Sequence, residues 1–278
     1  MKQKIFFSKM HGLGNDFIII NNLFGNVILS TQMIKKMSNR NLGIGCDQLL
    51  LLEKSKNKKA DFFYRIFNSN GIEVSQCGNG ARCLAYYIIL KNIIKKKKIY
   101  IQTHSTLMCI KIFNSNCIQV NMGKPNFQPY NIPFLYKKKK NIYNIKILNK
   151  KILCGVVSMG NPHCIIPVKN FNYVNVNKLG KLISSNNLFP ESVNVGFMQI
   201  INKKKIFLRV YERHVGETNA CGSAACAAVA VGCINDMLSN SVEVNLLGGS
   251  LNIKWKGLKY DLYMKGPAVH VYDGLINI

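Results

Sequence analysis

Two short stretches constrain this chain more than any other feature: Cys77-Gly78-Asn79-Gly80-Ala81-Arg82-Cys83 and Cys221-Gly222-Ser223-Ala224-Ala225-Cys226. In each, Cys-Gly is followed by a short polar residue and then by small and apolar residues. That pattern predicts a tight turn entering a helix, with the cysteine at the entry. A thiol there faces unpaired backbone N–H groups and the positive end of the helix dipole, which favour thiolate. Two such sites half a chain apart predict a duplicated unit in which each copy supplies one cysteine.

The order of elements supports duplication. Before Cys77 the chain reads as strands at 5–9, 17–21, 49–52 and 61–67, with a short helix at 31–41. Asn68-Ser69-Asn70-Gly71 forms a hairpin-type turn. After the first cysteine helix come strands near 99–103, 107–113 and 117–122, and Met122-Gly123-Lys124-Pro125 breaks the pattern. The second half opens on a Lys-rich surface region, 135–151. Strands at 152–158 and up to Val168, a helix at 174–185, and strands from Asn194 and at 206–211 lead to the second cysteine helix. That helix is small and apolar on every side, which predicts burial all round. Strands near 242–246, 250–256 and 260–265 follow, and Gly266-Pro267 precedes a last strand, 268–278. Many short strands with few helices predict an α+β fold. The expected architecture is two pseudo-symmetric domains, each of mixed or antiparallel strands wrapped around a central helix headed by a cysteine. The expected halves are 1–122 with 267–278, and 123–266.

At 278 residues, 48% of them hydrophobic, the chain has the material for two real cores. The formal charge of +26 suggests a polyanion partner at first sight. Yet Lys, Asn and Ile are all in excess and Arg is scarce, the signature of AT-rich codons. The Lys runs at 95–98, 137–140 and 203–205 fall in expected loops, away from every chemical motif. A nucleic-acid partner is therefore not expected. Ten cysteines in so long a chain, without a secretory h-region, point to a reduced, cytoplasmic setting. No apolar run is long enough for a membrane span.

Several chemistries can use a cysteine at a helix entry. The spacings Cys77 to Cys83 and Cys221 to Cys226 miss the zinc signature, and no Cys-x-x-Cys redox pair is present. Acyl transfer uses one nucleophile and leaves the second cysteine idle. A two-base proton transfer uses both: one thiolate removes an α-proton from one face, and the opposite thiol protonates the other. Backbone N–H groups at two helix N-termini suit a substrate carboxylate. The loop His11-Gly12-Leu13-Gly14-Asn15-Asp16-Phe17 allows close approach to a ligand, and Gln48 stands at a strand entrance. Asn161-Pro162-His163 exposes an amide and an imidazole beside a turn. For Asn15, Gln48 and His163 the residues alone leave a purely structural role open.

The chain resembles diaminopimelate epimerase, a cofactor-independent amino-acid epimerase family, over nearly its whole length. The resemblance rests on 7–17, on Gln76 to Cys83, on Gly160-Asn161-Pro162-His163, on Tyr211-Glu212-Arg213 with Gly216-Glu217-Thr218, and on Ala220-Cys221-Gly222-Ser223, in that order. It implies that Cys77 and Cys221 are the acid/base pair, supported by His163 and Glu212. It implies substrate contacts from Asn15, Gln48, Asn68, Gly78, Asn79, Asn161, Asn194, Glu212, Arg213, Gly222 and Ser223. Tyr272 would lie at a homodimer contact. No cofactor and no metal are implied, and the substrate would be the LL and meso forms of diaminopimelate, for lysine and peptidoglycan precursors. A proline- or hydroxyproline-type racemase shares the two-cysteine logic, but Glu212 and Arg213 suit a second charged end of the substrate. Four departures stand out: Cys46 where Phe is common, His214-Val215 in place of a small pair, Ala224 in place of Gly, and His104-Ser105-Thr106 in place of a Gly-containing turn.

Overall fold

The computed structural model describes residues 3–74 and 77–278; Met1, Lys2, Ser75 and Gln76 lie outside the described residues, and Gln76 heads the first cysteine motif. The chain divides into two compact units, one of Met1–Val120 with Gly266–Ile278 and one of Asn121–Lys265.

The first unit contains β1 (Lys4–Gly12), β2 (Asn15–Asn21), α1 (Thr31–Ser38), β3 (Gln48–Glu53), β4 (Phe62–Asn68), β5 (Glu73–Val74), α2 (Gly78–Leu90), β6 (Lys98–Gln102), β7 (Leu107–Asn114) and β8 (Cys117–Asn121). The second contains β9 (Tyr143–Ile147), β10 (Lys150–Ser158), β11 (Pro162–Pro167), α3 (Val176–Ser184), β12 (Asn194–Asn202), β13 (Lys205–Glu212), β14 (Gly216–Thr218), α4 (Gly222–Ile234), β15 (Ser241–Leu246), β16 (Gly249–Lys254) and β17 (Tyr263–Gly266). The terminal strand β18 (Val269–Asn277) returns to the first unit and pairs antiparallel with β1.

The two units repeat each other pairing by pairing. β1–β2 is antiparallel and β2–β3 parallel, as β10–β11 is antiparallel and β11–β12 parallel. β3–β4 and β12–β13 are antiparallel, and each leads to a short strand, β5 or β14, just before a cysteine. β4–β6 and β13–β15 are then both parallel. At the outer edge β18 pairs with β1 as β9 pairs with β10. Duplication is therefore a property of topology as well as of motif.

Hydrophobic pattern explains the layering. Ile18, Ile19 and Ile20 of β2 and Leu49 to Leu52 of β3 are buried without alternation, as expected for adjacent strands covered on both faces. Both α1 and α2 pack on β3. In the second unit α4 is buried from Ala224 through Gly232, because Ala, Val, Cys and Gly leave no polar face. Gly155 of β10 admits it closely: a Cβ there would stand 2.3 Å from Val231 Cγ1.

The segment 135–151 is a correction. It contains β9, whose Tyr143, Ile145 and Ile147 alternate into the core beside Phe134 and Phe189, while Asn144 and Lys146 face outward. A two-residue turn of Leu148 (φ 44°) and Asn149 (φ 64°) joins it to β10. Positive φ at both positions is a type I′ hairpin, but Leu-Asn lacks the usual Asn-Gly signal, and the lysines mask the alternation. Two smaller differences follow. Residues 260–262 are not strand, since β17 starts at Tyr263, and Lys98 begins β6 instead of closing a loop.

Candidate active site

Each cysteine holds the N-cap position of its helix. Cys77 precedes α2 with extended backbone (φ −149°, ψ 113°), and its Sγ accepts from the Gly80 N–H at 3.3 Å. Its carbonyl accepts from the buried Tyr64 hydroxyl at 3.1 Å. Cys221 precedes α4 in similar geometry (φ −122°, ψ 110°). The helix entries in the sequence thus become two N-cap positions, and at Cys77 the sulfur makes the contact usually made by a side-chain oxygen.

Around Cys77 the structure gathers Asn15, Gly78 and Asn79. Asn15 Oδ1 lies 4.0 Å from Cys77 Sγ and accepts from Asn79 Nδ2 at 3.3 Å. The amide of Asn15 is oriented from behind: its Nδ2 donates to Asp47 Oδ2 at 2.9 Å. Arg40 holds Asp47 and grips both oxygens of Asp16, which Lys9 also contacts. Burial pushes the Asp16 carboxyl up, but Arg40 and Lys9 overcome it and hold the group well below the usual range. Asn79 in turn accepts at Oδ1 from Arg82, a fully buried arginine whose Nε donates to the Pro267 carbonyl. Gln48 and Asn68 form their own pair across β3 and β4, Nε2 to Oδ1 at 2.9 Å. Gln48 Oε1 is buried without a hydrogen-bond partner, an acceptor suited to an incoming N–H donor.

Around Cys221 the structure gathers Asn161, His163, Glu212, Gly222 and Ser223. Ser223 Oγ is 3.4 Å from Cys221 Sγ and 3.4 Å from Asn161 Nδ2. Asn161 Oδ1 is 2.9 Å from His163 Nε2. An amide oxygen only accepts, so the ring proton of His163 sits on Nε2, and Nδ1 is a buried acceptor without a partner. Burial, reinforced by Arg213, lowers the His163 pKa to about 3, so the ring is neutral. Glu212 accepts from Thr218 Oγ1 at 2.7 Å.

Cys221 corrects an expectation. Its helix position predicted an easily ionised thiol. Instead burial, and then the Glu212 carboxylate, push its pKa well above the ordinary value, although Ser223 and the Ala224 N–H favour the thiolate. Desolvation of a buried sulfur outweighs what one helix terminus supplies. Cys221 therefore rests as a thiol.

The remaining expected residues are placed differently. Asn194 is buried, donating to the Pro162 carbonyl at 3.1 Å and accepting from the Arg213 N–H at 3.1 Å. It shapes the backbone of both neighbours. The Arg213 guanidinium reaches the Glu191 carbonyl at 2.9 Å. Tyr272 is 44% exposed on β18, with its ring edge-on to Phe7 at 5.9 Å.

Sequence reasoning gave no role to Asp47, Tyr64 or Thr218, which contact Asn15, Cys77 and Glu212. Nor did it single out two forked ion pairs, Arg65–Glu73 and Arg209–Glu217. Their signal was present as a repeated spacing: Arg, Glu eight residues on, Cys four beyond. Among the described residues no cluster of three His, Cys, Asp or Glu side chains is arranged to hold a metal ion, and no helix is long and apolar enough to cross a membrane.

The family description "Diaminopimelate epimerase" matches residues 7–128 and 155–271. Diaminopimelate epimerases of Buchnera aphidicola subsp. Acyrthosiphon pisum, strains 5A and APS, are 56% identical over 277 residues, covering 100% of this chain and 98% of theirs. Among solved structures, a hydroxyproline epimerase from Agrobacterium vitis with bound trans-4-OH-L-proline superposes with a TM-score of 0.74. It is 11% identical, with 100% of this chain and 94% of that one covered, a likeness of fold alone.

Proposed function

The chain belongs to the diaminopimelate epimerase family, and on that premise we propose that it inverts the α-carbon of diaminopimelate by a two-base transfer between Cys77 and Cys221. The enzyme is an isomerase that interconverts the LL and meso isomers, a step of lysine biosynthesis. The observation that carries the two-base reading is a cysteine at the N-cap position of one helix in each of two units with the same strand pairings.

In this reading one thiolate removes the α-proton and the other thiol delivers a proton to the opposite face. The proton of the first C–H bond passes to a lone pair of the thiolate sulfur, while the bond's electron pair stays on the α-carbon and spreads toward the carboxylate. That pair then takes a proton from the second sulfur to form the new C–H bond. Cys221, held as a thiol by burial and Glu212, is the resting donor. One turnover leaves it as the thiolate, ready to act as base on the product isomer. The N–H groups of the helix starts at Gly78-Asn79 and Gly222-Ser223 receive the α-carboxylate and stabilise charge as it moves onto it. Asn15 and Asn161 orient the reacting end. Gln48, Asn68, Asn194, Glu212 and Arg213 hold the ammonium and carboxylate groups, with Arg213 turning from Glu191 to the distal carboxylate. His163 and Glu212 support the cysteines.

The same reading has the enzyme without pyridoxal or metal, cytoplasmic, with no nucleic-acid or membrane partner, and dividing at 122/123 and 266/267. It is a homodimer through the face of β18 that carries Tyr272. Sedimentation of the wild type against Tyr272→Ala tests the dimer, and an unchanged mass distribution would count against that contact.

The decisive experiment incubates the protein with LL-diaminopimelate in D₂O without pyridoxal phosphate. Meso product with deuterium at one α-carbon is expected, and Cys77→Ala and Cys221→Ala each abolish turnover. Full epimerisation by Cys221→Ala would refute the two-thiol scheme. Turnover of proline or hydroxyproline in a substrate panel, with none of diaminopimelate, would assign the racemase activity instead.

A further inference from the structure

We infer that Arg65–Glu73 and Arg209–Glu217 are positioning pairs, each setting the place of the one reactive cysteine that lies four residues beyond its glutamate. The inference rests on the two-thiol reading above.

The two pairs are built alike. Arg65 Nε donates to Glu73 Oε1 at 2.9 Å and Nη2 to Oε2 at 2.8 Å. Arg209 Nε donates to Glu217 Oε1 at 2.6 Å and Nη2 to Oε2 at 2.9 Å. Each arginine stands on the equivalent strand, β4 or β13, three residues before Asn68 or Glu212. Each glutamate stands on the short strand that leads to Cys77 or Cys221. The fork therefore ties a strand bearing a substrate-holding side chain to the segment bearing a thiol.

Stability alone does not explain the recurrence. These side chains are 17–36% exposed, and ion pairs near solvent contribute little. Geometry does explain it. β5 has two residues and β14 three, so their ladders supply few hydrogen bonds with which to hold a register. A bidentate guanidinium–carboxylate pair fixes both distance and plane. Each half then adds its own brace. His104 Nε2 meets Glu73 Oε1 at 2.8 Å, which gives the departure at 104–106 a structural use. Arg209 also donates to the carbonyls of Phe171 and Val174, and Asn177 Oδ1 accepts from the Glu217 N–H.

The test uses Glu73→Gln and Glu217→Gln in the full enzyme. Alkylation by iodoacetamide is followed cysteine by cysteine with peptide mass spectrometry, beside kcat and KM. Glu217→Gln is expected to change the alkylation rate of Cys221 about threefold or more and leave Cys77 unchanged, and Glu73→Gln to do the reverse. Turnover should fall about tenfold to a hundredfold in kcat with KM nearly constant, as misplacement of a reacting group requires. Equal changes at both thiols, no change at either, or a rise in KM alone overturns the inference. Where a Gln variant does not fold, Arg65→Lys or Arg209→Lys is read in its place, because Lys keeps charge and loses the fork. If both variants of one half fail to fold, the pair is a folding element and the inference falls. The alkylation pattern does not depend on turnover, so failure of the two-thiol reading in the cysteine variants stays distinguishable from failure here.

Discussion

Asn161 Nδ2 donates to Ser223 Oγ at 3.4 Å, and this one hydrogen bond joins a buried histidine to a buried thiol. The line runs His163, Asn161, Ser223, Cys221, all within the second unit. His163 gives its only ring proton to Asn161, which fixes the amide, and the amide then fixes the hydroxyl. Ser223 is thereby held where it can stabilise the Cys221 thiolate beside the Ala224 N–H, while Glu212 opposes ionisation. A sulfur held between groups that favour and groups that oppose its ionisation can pass a proton in either direction.

That balance gives two substitutions of opposite sign. Ser223→Ala removes a stabiliser of the thiolate, so the alkylation–pH profile of Cys221 moves to higher pH. Glu212→Gln removes a negative charge beside the sulfur, so the profile moves to lower pH. Turnover falls in both, by about tenfold for Ser223→Ala if the lost hydrogen bond is worth about 1.5 kcal/mol. Shifts in the same direction would show that burial alone controls the thiol.

His163 makes stability depend on pH. Its folded pKa of about 3 lies below the ordinary 6.5, so between those values the unfolded chain binds more protons. Stability conferred by the neutral ring is complete above about pH 6.5 and is lost as pH falls toward 3. Carboxylates such as Asp16 act only lower, near and below the usual carboxylate range. His163→Gln should therefore lose less thermal stability than the wild type between about pH 6.5 and 4.5. Parallel melting curves for the two proteins across that window would remove His163 from the account.

The parts of the site that the sequence displayed are those in which residue type and local spacing carry the role. Cys-Gly at two helix entries became two N-cap positions. What it hid depends on long-range register. Arg65 meets Glu73, and Arg209 meets Glu217, only because two strands pair antiparallel at that offset. The β9 strand was hidden by Asn144 and Lys146 on its open face and by the lysine run 137–140 just before it. The ionisation of Cys221 was hidden for another reason: burial and Glu212 reach the sulfur through the fold, while the helix terminus is visible in the chain.

Gly180 of α3 lets the helix lie directly on Tyr211. A Cβ at 180 would stand 2.5 Å from both Cβ and Cγ of Tyr211, the residue before Glu212. Gly180→Ala should cost about 1–3 kcal/mol by overpacking, a fall in Tm of roughly 3–10 °C. It should also displace Glu212 and lower kcat. Gly155→Ala overpacks the same unit against Val231 without touching Tyr211, so it should lower Tm and spare kcat by comparison. Equal losses of kcat in the two variants would show that the effect is general loosening.

His214 occupies a turn that glycine would accept with less strain. Its φ is 64°, left-handed, in a turn closed by the Val215 N–H donating to the Glu212 carbonyl at 3.1 Å. A side chain costs about 1–2 kcal/mol in that conformation, and glycine gives back about 0.5–1 kcal/mol in unfolded-chain entropy. His214→Gly should therefore stabilise the protein by up to about 1 kcal/mol, seen as a rise in Tm of a few degrees. His214→Ala keeps the strain and should show no such rise. The imidazole is exposed and outside the Cys221 line, so neither variant should change kcat by more than about twofold. A rise in Tm shared by both variants would place the cost in the imidazole and not in the backbone.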